Sequence, residues 1–222
     1  MPGTRTAIIV AGGAPLCPQA LTDLPPDAFV IAADSGLDHA FAAGLRPNLI
    51  VGDLDSVSDG AIEIARSEGI TIDQYSPDKD ATDTELALAA ALAWEPDHVI
   101  LLAGGGDRLD HSIAAITALG HACLARCESV TARWGTSHIH VVHAPRSLAV
   151  HTQSNTTFSL LALHGACEGV VLNGARWPLD NAVLSPASSL GVSNIAVTGE
   201  LHVQLTAGVL TLIFPYQYGG QQ

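Results

Sequence analysis

Two aspartates two residues apart, Asp53 and Asp55, follow an apolar run, Leu49-Ile50-Val51, and a glycine, Gly52. The run reads as a buried strand, and Gly52 lets the chain leave it sharply. If strand geometry persists past the glycine, a period of two puts both carboxylates on the same side. Paired carboxylates repel each other unless a cation or a proton comes between them. Oxygen-only ligands at this spacing suit Mg²⁺, which takes one or two carboxylates and fills its other positions with water and substrate phosphate. A solvated turn, in which Asp simply favours the bend, is the competing reading of this stretch alone.

The surrounding chain decides between the two. Thr6 to Ala11, Phe29 to Ala33, Leu49 to Val51, Ile70 to Ile72 and His98 to Leu102 are short apolar runs expected to form strands. Helices are expected over Leu37 to Ala43, Asp59 to Glu68 (capped by Ser58 or Asp59), Glu85 to Trp94 and Ser112 to Leu119, with a short one around Gln19 to Leu24. Strand, turn and helix in repetition predict an α/β fold, a three-layer domain with a mainly parallel sheet. Open parallel sheets bind ligands beyond the carboxyl ends of their strands. Asp34, Asp53, Asp55, the Asp78–Asp83 loop and the Gly104–Asp110 loop each follow a strand, so the sheet would gather them at one edge. Four successive acidic strand ends favour a metal-phosphate site over turn preference.

From Ser137 the pattern changes to short strands separated by Gly, Asn, Ser and Pro: Ile139–Val142, Thr157–Leu161, Val170–Leu172, Leu201–Leu205 and Val209–Phe214. The last two, with Thr206-Ala207-Gly208 between them, read as a β-hairpin. The expected division is an α/β domain over residues 1–136 and a small all-β sandwich or barrel over 137–222.

A net charge of −13 argues against a general nucleic-acid surface or an anionic-membrane surface. A phosphate-bearing ligand would need a metal or a few placed cations. Lys79, the only lysine, stands between Asp78 and Asp80. With 48% apolar and 14% charged residues the chain is not disordered, and no apolar run approaches membrane length. Cys17, Cys123, Cys127 and Cys167 lack paired metal spacing; Cys123 and Cys127 would share a helix face as free core thiols. A cytoplasmic location follows as the default.

Gly104-Gly105-Gly106 could present backbone N–H groups to an anion, although it matches neither the P-loop nor the dinucleotide pattern. Arg108 adds a guanidinium able to grip phosphate. Asp107 is read as a helix cap, Asp110 as functional, and His111 as its partner or part of the wall. His138 and His140 would point the same way on a strand as surface or core residues. Trp177 before Pro178, and Ser193-Asn194 after Gly191-Val192, read by themselves as packing and a turn.

Together these motifs resemble one family. Ala32-Ala33-Asp34-Ser35-Gly36, Pro47 to Ser56, Asp78 to Glu85 and Gly106 to His111 are similar in order and spacing to the thiamine pyrophosphokinases. Trp177-Pro178-Leu179 and Gly191-Val192-Ser193-Asn194 resemble that family's β-domain signatures. Ser35 and Ala115 depart from the pattern, where a glycine and an asparagine are usual. The resemblance implies transfer of pyrophosphate from ATP to thiamine, giving thiamine diphosphate and AMP, in a homodimer whose site lies at the subunit interface. It implies Mg²⁺ on Asp53, Asp55 and Asp83, supported by Asp80. Lys79, Thr82, Gly105, Gly106 and Arg108 would hold the polyphosphate, and Asp34 and Asp110 would orient substrate or metal-bound water. Ser193 and Asn194 would hydrogen-bond the aminopyrimidine, with Trp177 lining the pocket. Two other readings suit Asp53-Leu54-Asp55: a haloacid-dehalogenase-type phosphatase with Asp53 as nucleophile, and a non-catalytic sensor of a nucleotide or thiamine compound.

Overall fold

Five apolar runs form the strands β1 (Thr6–Val10), β2 (Phe29–Ala33), β3 (Leu49–Gly52), β4 (Thr71–Gln74) and β5 (His98–Ala103) in the computed structural model, which describes residues 3–106 and 108–215. Asp107, read as a cap, lies outside the described residues. The strands are parallel in the order β5-β1-β2-β3-β4, so the carboxyl ends of all five share one edge. Between them run α1 (Gly36–Ala42), α2 (Asp59–Ser67) and α3 (Asp83–Ala93), with α4 (Leu109–Ala118) after β5. The expected short helix near Gln19 is a 3₁₀ turn, Pro18–Leu21.

Every residue of β1 is buried, as a strand covered on both faces requires. Ile8, Val10 and Val30 pack with Ala40 of α1; Ala32 and Ile50 meet Leu37 with Ala61 and Ala65 of α2. Gly36 opens α1 directly above β1, where a Cβ would lie 2.0 Å from the Val10 carbonyl oxygen. Ser58 caps α2 by accepting from the Ala61 N–H. Thr82 and Glu85 form a reciprocal capping box on α3. This fixes the first turn of α3, and with it Asp83, at the sheet edge.

The described chain divides into two compact units. One runs to Ala118 and adds Arg126–Glu128 and Ala132–Gly135; the other holds Leu119–Ala125, Ser129–Thr131 and the residues from Thr136 onward. Strand β6 (Ser129–Trp134), not foreseen from its mixed polar composition, follows β5 in strand order and contributes to both units.

The second unit is built from β7 (Ser137–His143), β8 (Arg146–His151), β9 (Thr157–Leu161), β10 (Cys167–Asn173), β11 (Leu179–Leu184), β12 (Asn194–Ile195), β13 (Glu200–Leu205) and β14 (Val209–Phe214). Antiparallel pairing gives the orders β12-β9-β14-β7 and β11-β10-β13-β8. Phe158, Leu160, Leu212 and Phe214 share one core with Val170, Leu172, Leu201, Val203 and Leu205. His138 and His140 do share a strand face, with ring centroids 4.4 Å apart, and burial drives the His140 imidazole down to about 3.

The expected Leu201–Phe214 hairpin does not form. β13 pairs with β10 and β8, whereas β14 pairs with β7 and β9, so the chain changes sheet at Thr206-Ala207-Gly208. The corner is held by the Glu168 carbonyl, which accepts from the N–H groups of Thr206 and Ala207 and from the Thr206 hydroxyl. Gly208, at φ 91°, passes so close to Ala166 that a Cβ would sit 2.4 Å from its carbonyl oxygen.

The cysteines are free thiols, but Cys123 is exposed on a 3₁₀ turn (Ala122–Arg126), with buried Cys127 just beyond it. The shared helix face is absent because the helix is too short. No helix among the described residues is long and apolar enough to cross a membrane.

Candidate active site

Asp34 leaves β2 with φ 47°, a left-handed conformation that Asp and Asn tolerate better than most side chains. Its N–H donates to the Val51 carbonyl, tying the exit of β2 to β3. Gly52, at φ 149°, then turns the chain under Asp34. A Cβ there would stand 3.1 Å from both Asp34 Cβ and Asp83 Oδ1, so only glycine lets three acidic segments close up. Extended geometry does not persist beyond it: Leu54 sits at φ 68°. Asp53 and Asp55 converge through this turn rather than through strand alternation. The Asp55 N–H donates to Asp53 Oδ1 at 3.3 Å, and the Ser56 hydroxyl donates to Asp55 Oδ1 at 2.8 Å.

One carboxylate oxygen from each of Asp34, Asp53 and Asp55 lies within 4.8 Å of the other two. Asp34 Oδ1 is buried and accepts no hydrogen bond. An orphaned buried acceptor beside two further carboxylates is costly unless a cation completes it, and an all-oxygen donor set suits a hard divalent ion. Lys79 reaches into the same cluster. Its Nζ donates to Asp53 Oδ2 at 2.7 Å and forms an ion pair with Asp83 Oδ1 at 3.0 Å. Both carboxylates therefore share one ammonium, while Asp34 and Asp55 have none among the described residues.

The electrostatics follow from this sharing. The hydrogen bond from Lys79 holds the Asp53 carboxyl below its ordinary range, and the same bond raises Lys79. Burial raises Asp34, and the charges of Asp83, Asp55 and Asp53 add to it. A raised folded-state pKa means that ionised Asp34 opposes folding at neutral pH. Asp34→Asn is therefore expected to raise the melting temperature of the metal-free protein at pH 7 while weakening divalent-ion binding. The gain should vanish below about pH 4, where the wild-type carboxyl is protonated in both states. Thermal denaturation of the two proteins between pH 3.5 and 7.5 checks the sign.

Asp34, Asp53, Asp55 and Asp83 line a cavity of about 430 Å³ in the first unit. Gly12, Gly13, Gly105, Gly106, Arg108 and Trp134 also line it. The two glycine segments interlock: the Ala14 N–H donates to the Gly105 carbonyl, and a Cβ on Gly13 would come within 2.6 Å of that oxygen. His39 Nε2 contacts the Gly13 carbonyl at 2.9 Å, anchoring the first loop from α1. Gly104 serves packing, since a Cβ would meet the Ala14 carbonyl oxygen at 2.1 Å.

The remaining residues singled out in the sequence are placed unevenly. Thr82 and Asp83 line the cavity, though the Thr82 hydroxyl is engaged in the capping box. Asp80 is exposed and is not part of the wall. Asp110 is exposed too; it receives two hydrogen bonds from Arg108, at 3.0 and 2.8 Å, which hold its carboxyl far below the usual range. Arg108 also contacts His111 Nε2 at 2.9 Å, so Asp110 orients the guanidinium that lines the cavity. Gly12, Gly13 and Trp134 were not foreseen as wall residues; Gly12-Gly13 at the exit of β1 was a readable signal, whereas Trp134 had none.

In the second unit, Trp177 is 54% exposed and Ser193 sits at φ 57°. Asn194, expected to hydrogen-bond a ligand, has partners within the protein. Asn194 is buried, its Oδ1 accepts from the N–H groups of Trp177 and Ile195, and its Nδ2 donates to the Trp177 carbonyl. The carboxamide holds the Trp177 backbone, and the indole stands exposed.

Residues 24–131 match the family model described as thiamin pyrophosphokinase, catalytic domain, and residues 139–210 match thiamin pyrophosphokinase, vitamin B1 binding domain. The thiamine pyrophosphokinase of Bacillus subtilis (strain 168) is 25% identical over 212 residues, covering 94% of this chain and 98% of that one. A crystal structure of the Bacillus subtilis thiamine pyrophosphokinase superposes with a TM-score of 0.82 at 25% identity, covering 95% of this chain and 99% of the other. The thiamin pyrophosphokinase of Candida albicans, at 14% identity, shares the fold with a TM-score of 0.75 over 95% of this chain and 88% of its own. Neither the phosphatase nor the sensor reading finds support in these likenesses. With two matched models that together span most of its length and an acidic rim at the strand ends, the chain belongs to the thiamin pyrophosphokinase family.

Proposed function

We propose that the protein transfers the pyrophosphoryl group of ATP to the hydroxyethyl oxygen of thiamine, giving thiamine diphosphate and AMP, with Mg²⁺ as the metal. The observation that carries the site assignment is the convergence of Asp34, Asp53 and Asp55 on one point beside Lys79. The alcohol oxygen bonds to the β-phosphorus, the bond from that phosphorus to the α,β-bridging oxygen breaks, and AMP departs with that oxygen. The alcohol proton passes to a site carboxylate. Little covalent chemistry is asked of the protein, so positioning and charge neutralisation supply the rate.

Asp53 and Asp55 would hold Mg²⁺, with Asp34 converging on them and Asp83 coupled to Asp53 through Lys79. Bound there, Mg²⁺ would offset the charge on the phosphate oxygens. Gly105 and Gly106 offer backbone to the polyphosphate, and Arg108, braced by Asp110, offers its guanidinium. Trp177 presents an exposed ring surface to thiamine, with Asn194 holding it and Ser193 beside it. A cytoplasmic homodimer with the site at the subunit interface completes this reading, on the strength of the family resemblance.

Incubation with ATP, Mg²⁺ and thiamine should release AMP in step with thiamine diphosphate. Release of ADP alone, or AMP release indifferent to thiamine, would overturn the assignment. Sedimentation equilibrium tests the dimer separately.

A further inference from the structure

The proposed reaction gives residues to the metal and the polyphosphate but none to the base of the nucleotide. The edge of the parallel sheet sets out an order that supplies one. Along it stand β3, β2, β1, β5 and β6. Asp53 and Asp55 follow β3, Asp34 follows β2, Gly12-Gly13 follow β1, Gly105-Gly106 follow β5, and Trp134 ends β6. The Gly135 N–H donates to the Ala103 carbonyl at 2.8 Å, which brings Trp134 to the end of β5. Three strand spacings separate β2 from β6, about 14 Å in all. Carboxylates hold one end of this row, bare backbone the middle and an indole the other end. Metal-bound phosphates, the rest of the polyphosphate and the base of an extended nucleoside triphosphate come in that order.

Trp134 belongs to the first unit and lines its cavity. Among the described lining residues only Trp134 and His111 carry rings, and Arg108 contacts the His111 ring at 2.9 Å. The indole packs beside bare main chain: a Cβ on Gly105, at φ 87°, would stand 3.6 Å from Trp134 Nε1. A half-buried indole placed in this way offers a flat, apolar surface to an aromatic ligand. No asparagine or glutamine is among the described lining residues, so the carboxamide that would read the edge of adenine is missing. Stacking alone accepts any base, because every base has a π-face.

We propose that Trp134 is the residue on which the base of the nucleotide stacks, selecting for an aromatic base without distinguishing adenine from guanine. The proposal rests on the reading of the cavity as a nucleoside triphosphate site.

Titration calorimetry of the full chain in Mg²⁺ tests it, with a non-hydrolysable ATP analogue, its GTP counterpart and ribose 5-triphosphate, which lacks the base. The wild type should bind the two analogues within about threefold of each other and the base-free triphosphate about tenfold or more weaker. Trp134→Leu should weaken both analogues about tenfold or more and leave ribose 5-triphosphate unchanged, while Trp134→Phe should keep most of the affinity. In turnover, Trp134→Leu should raise the KM for ATP and leave the KM for thiamine unchanged. Equal analogue affinity in wild type and Trp134→Leu would overturn the proposal. So would a wild type that binds the base-free triphosphate as well as the analogues, or a Trp134→Leu variant that loses all three ligands alike. A GTP analogue bound about 10²-fold more weakly than the ATP analogue would overturn the indifference to the base. The binding arms contain no thiamine, so a Trp134-dependent preference for the base without thiamine-dependent AMP release would overturn the reaction and uphold the stacking site. No binding of any of the three ligands by the wild type would overturn both.

Discussion

Asp53→Asn is expected to lower thiamine-dependent AMP release by about 10²–10³-fold or more while leaving the fold intact. Asp53 is the residue on which the acidic rim turns. It converges with Asp34 and Asp55, accepts the Lys79 hydrogen bond, and receives the Asp55 N–H that shapes the loop. Asparagine preserves size and can still accept from Lys79, so the backbone has no reason to move. What disappears is the charge that would hold a divalent ion against a polyphosphate. The loss should therefore appear in kcat and in the Mg²⁺ concentration needed for half-maximal rate, with circular dichroism unchanged. A near-normal rate would remove Asp53 from the mechanism.

Lys79→Met is expected to cost about 10²-fold in rate and to lower the melting temperature of the metal-free protein. Its ammonium is the one that both Asp53 and Asp83 share, and the side chains of Lys79 and Asp53 are only 14% and 12% exposed. Without it, carboxylates are left to repel one another in a confined space. The pH dependence follows from the signs. Depressed Asp53 contributes stability above its unfolded pKa, near 3.8, lost as acid reaches its lower folded value; raised Lys79 contributes below 10.5, lost as base reaches its higher one. The wild type should hold this contribution across the broad window between, and the variant should lack it there. Added Mg²⁺ should restore more melting temperature to the variant than to the wild type. Equal melting temperatures from pH 5 to 9 would show that the pair does not stabilise the fold.

Much of the first unit was legible because its physics is local. β1, β2, β3 and β5 are continuous apolar runs broken by glycine or aspartate, and burial on both faces leaves such runs little alternative. Once they are parallel, the acidic strand ends share an edge. The path by which Asp53 and Asp55 meet was not legible, since it depends on backbone angles at Gly52 and Leu54. Nor were β6, β8 and β11 foreseen: Ser129–Trp134, Arg146–His151 and Leu179–Leu184 mix polar and apolar residues, and pairing rather than composition makes them strands. The false hairpin has a similar cause. Thr206-Ala207-Gly208 is a convincing local turn, yet the Glu168 carbonyl, distant in sequence, decides that it becomes a corner between sheets. The tie from Asn194 to the main chain of Trp177 was not legible because the two are 17 residues apart.

The interleaved course of the chain between Leu119 and Thr136 bears on how the protein can be dissected. Each unit borrows short segments from the other's stretch of sequence, so no single cut releases both whole. A recombinant truncation ending at residue 136 would deprive the β-rich half of Leu119–Ala125 and Ser129–Thr131 while leaving those pieces stranded on the other fragment. Studies of either half are better served by point changes in the intact polypeptide than by expressing halves.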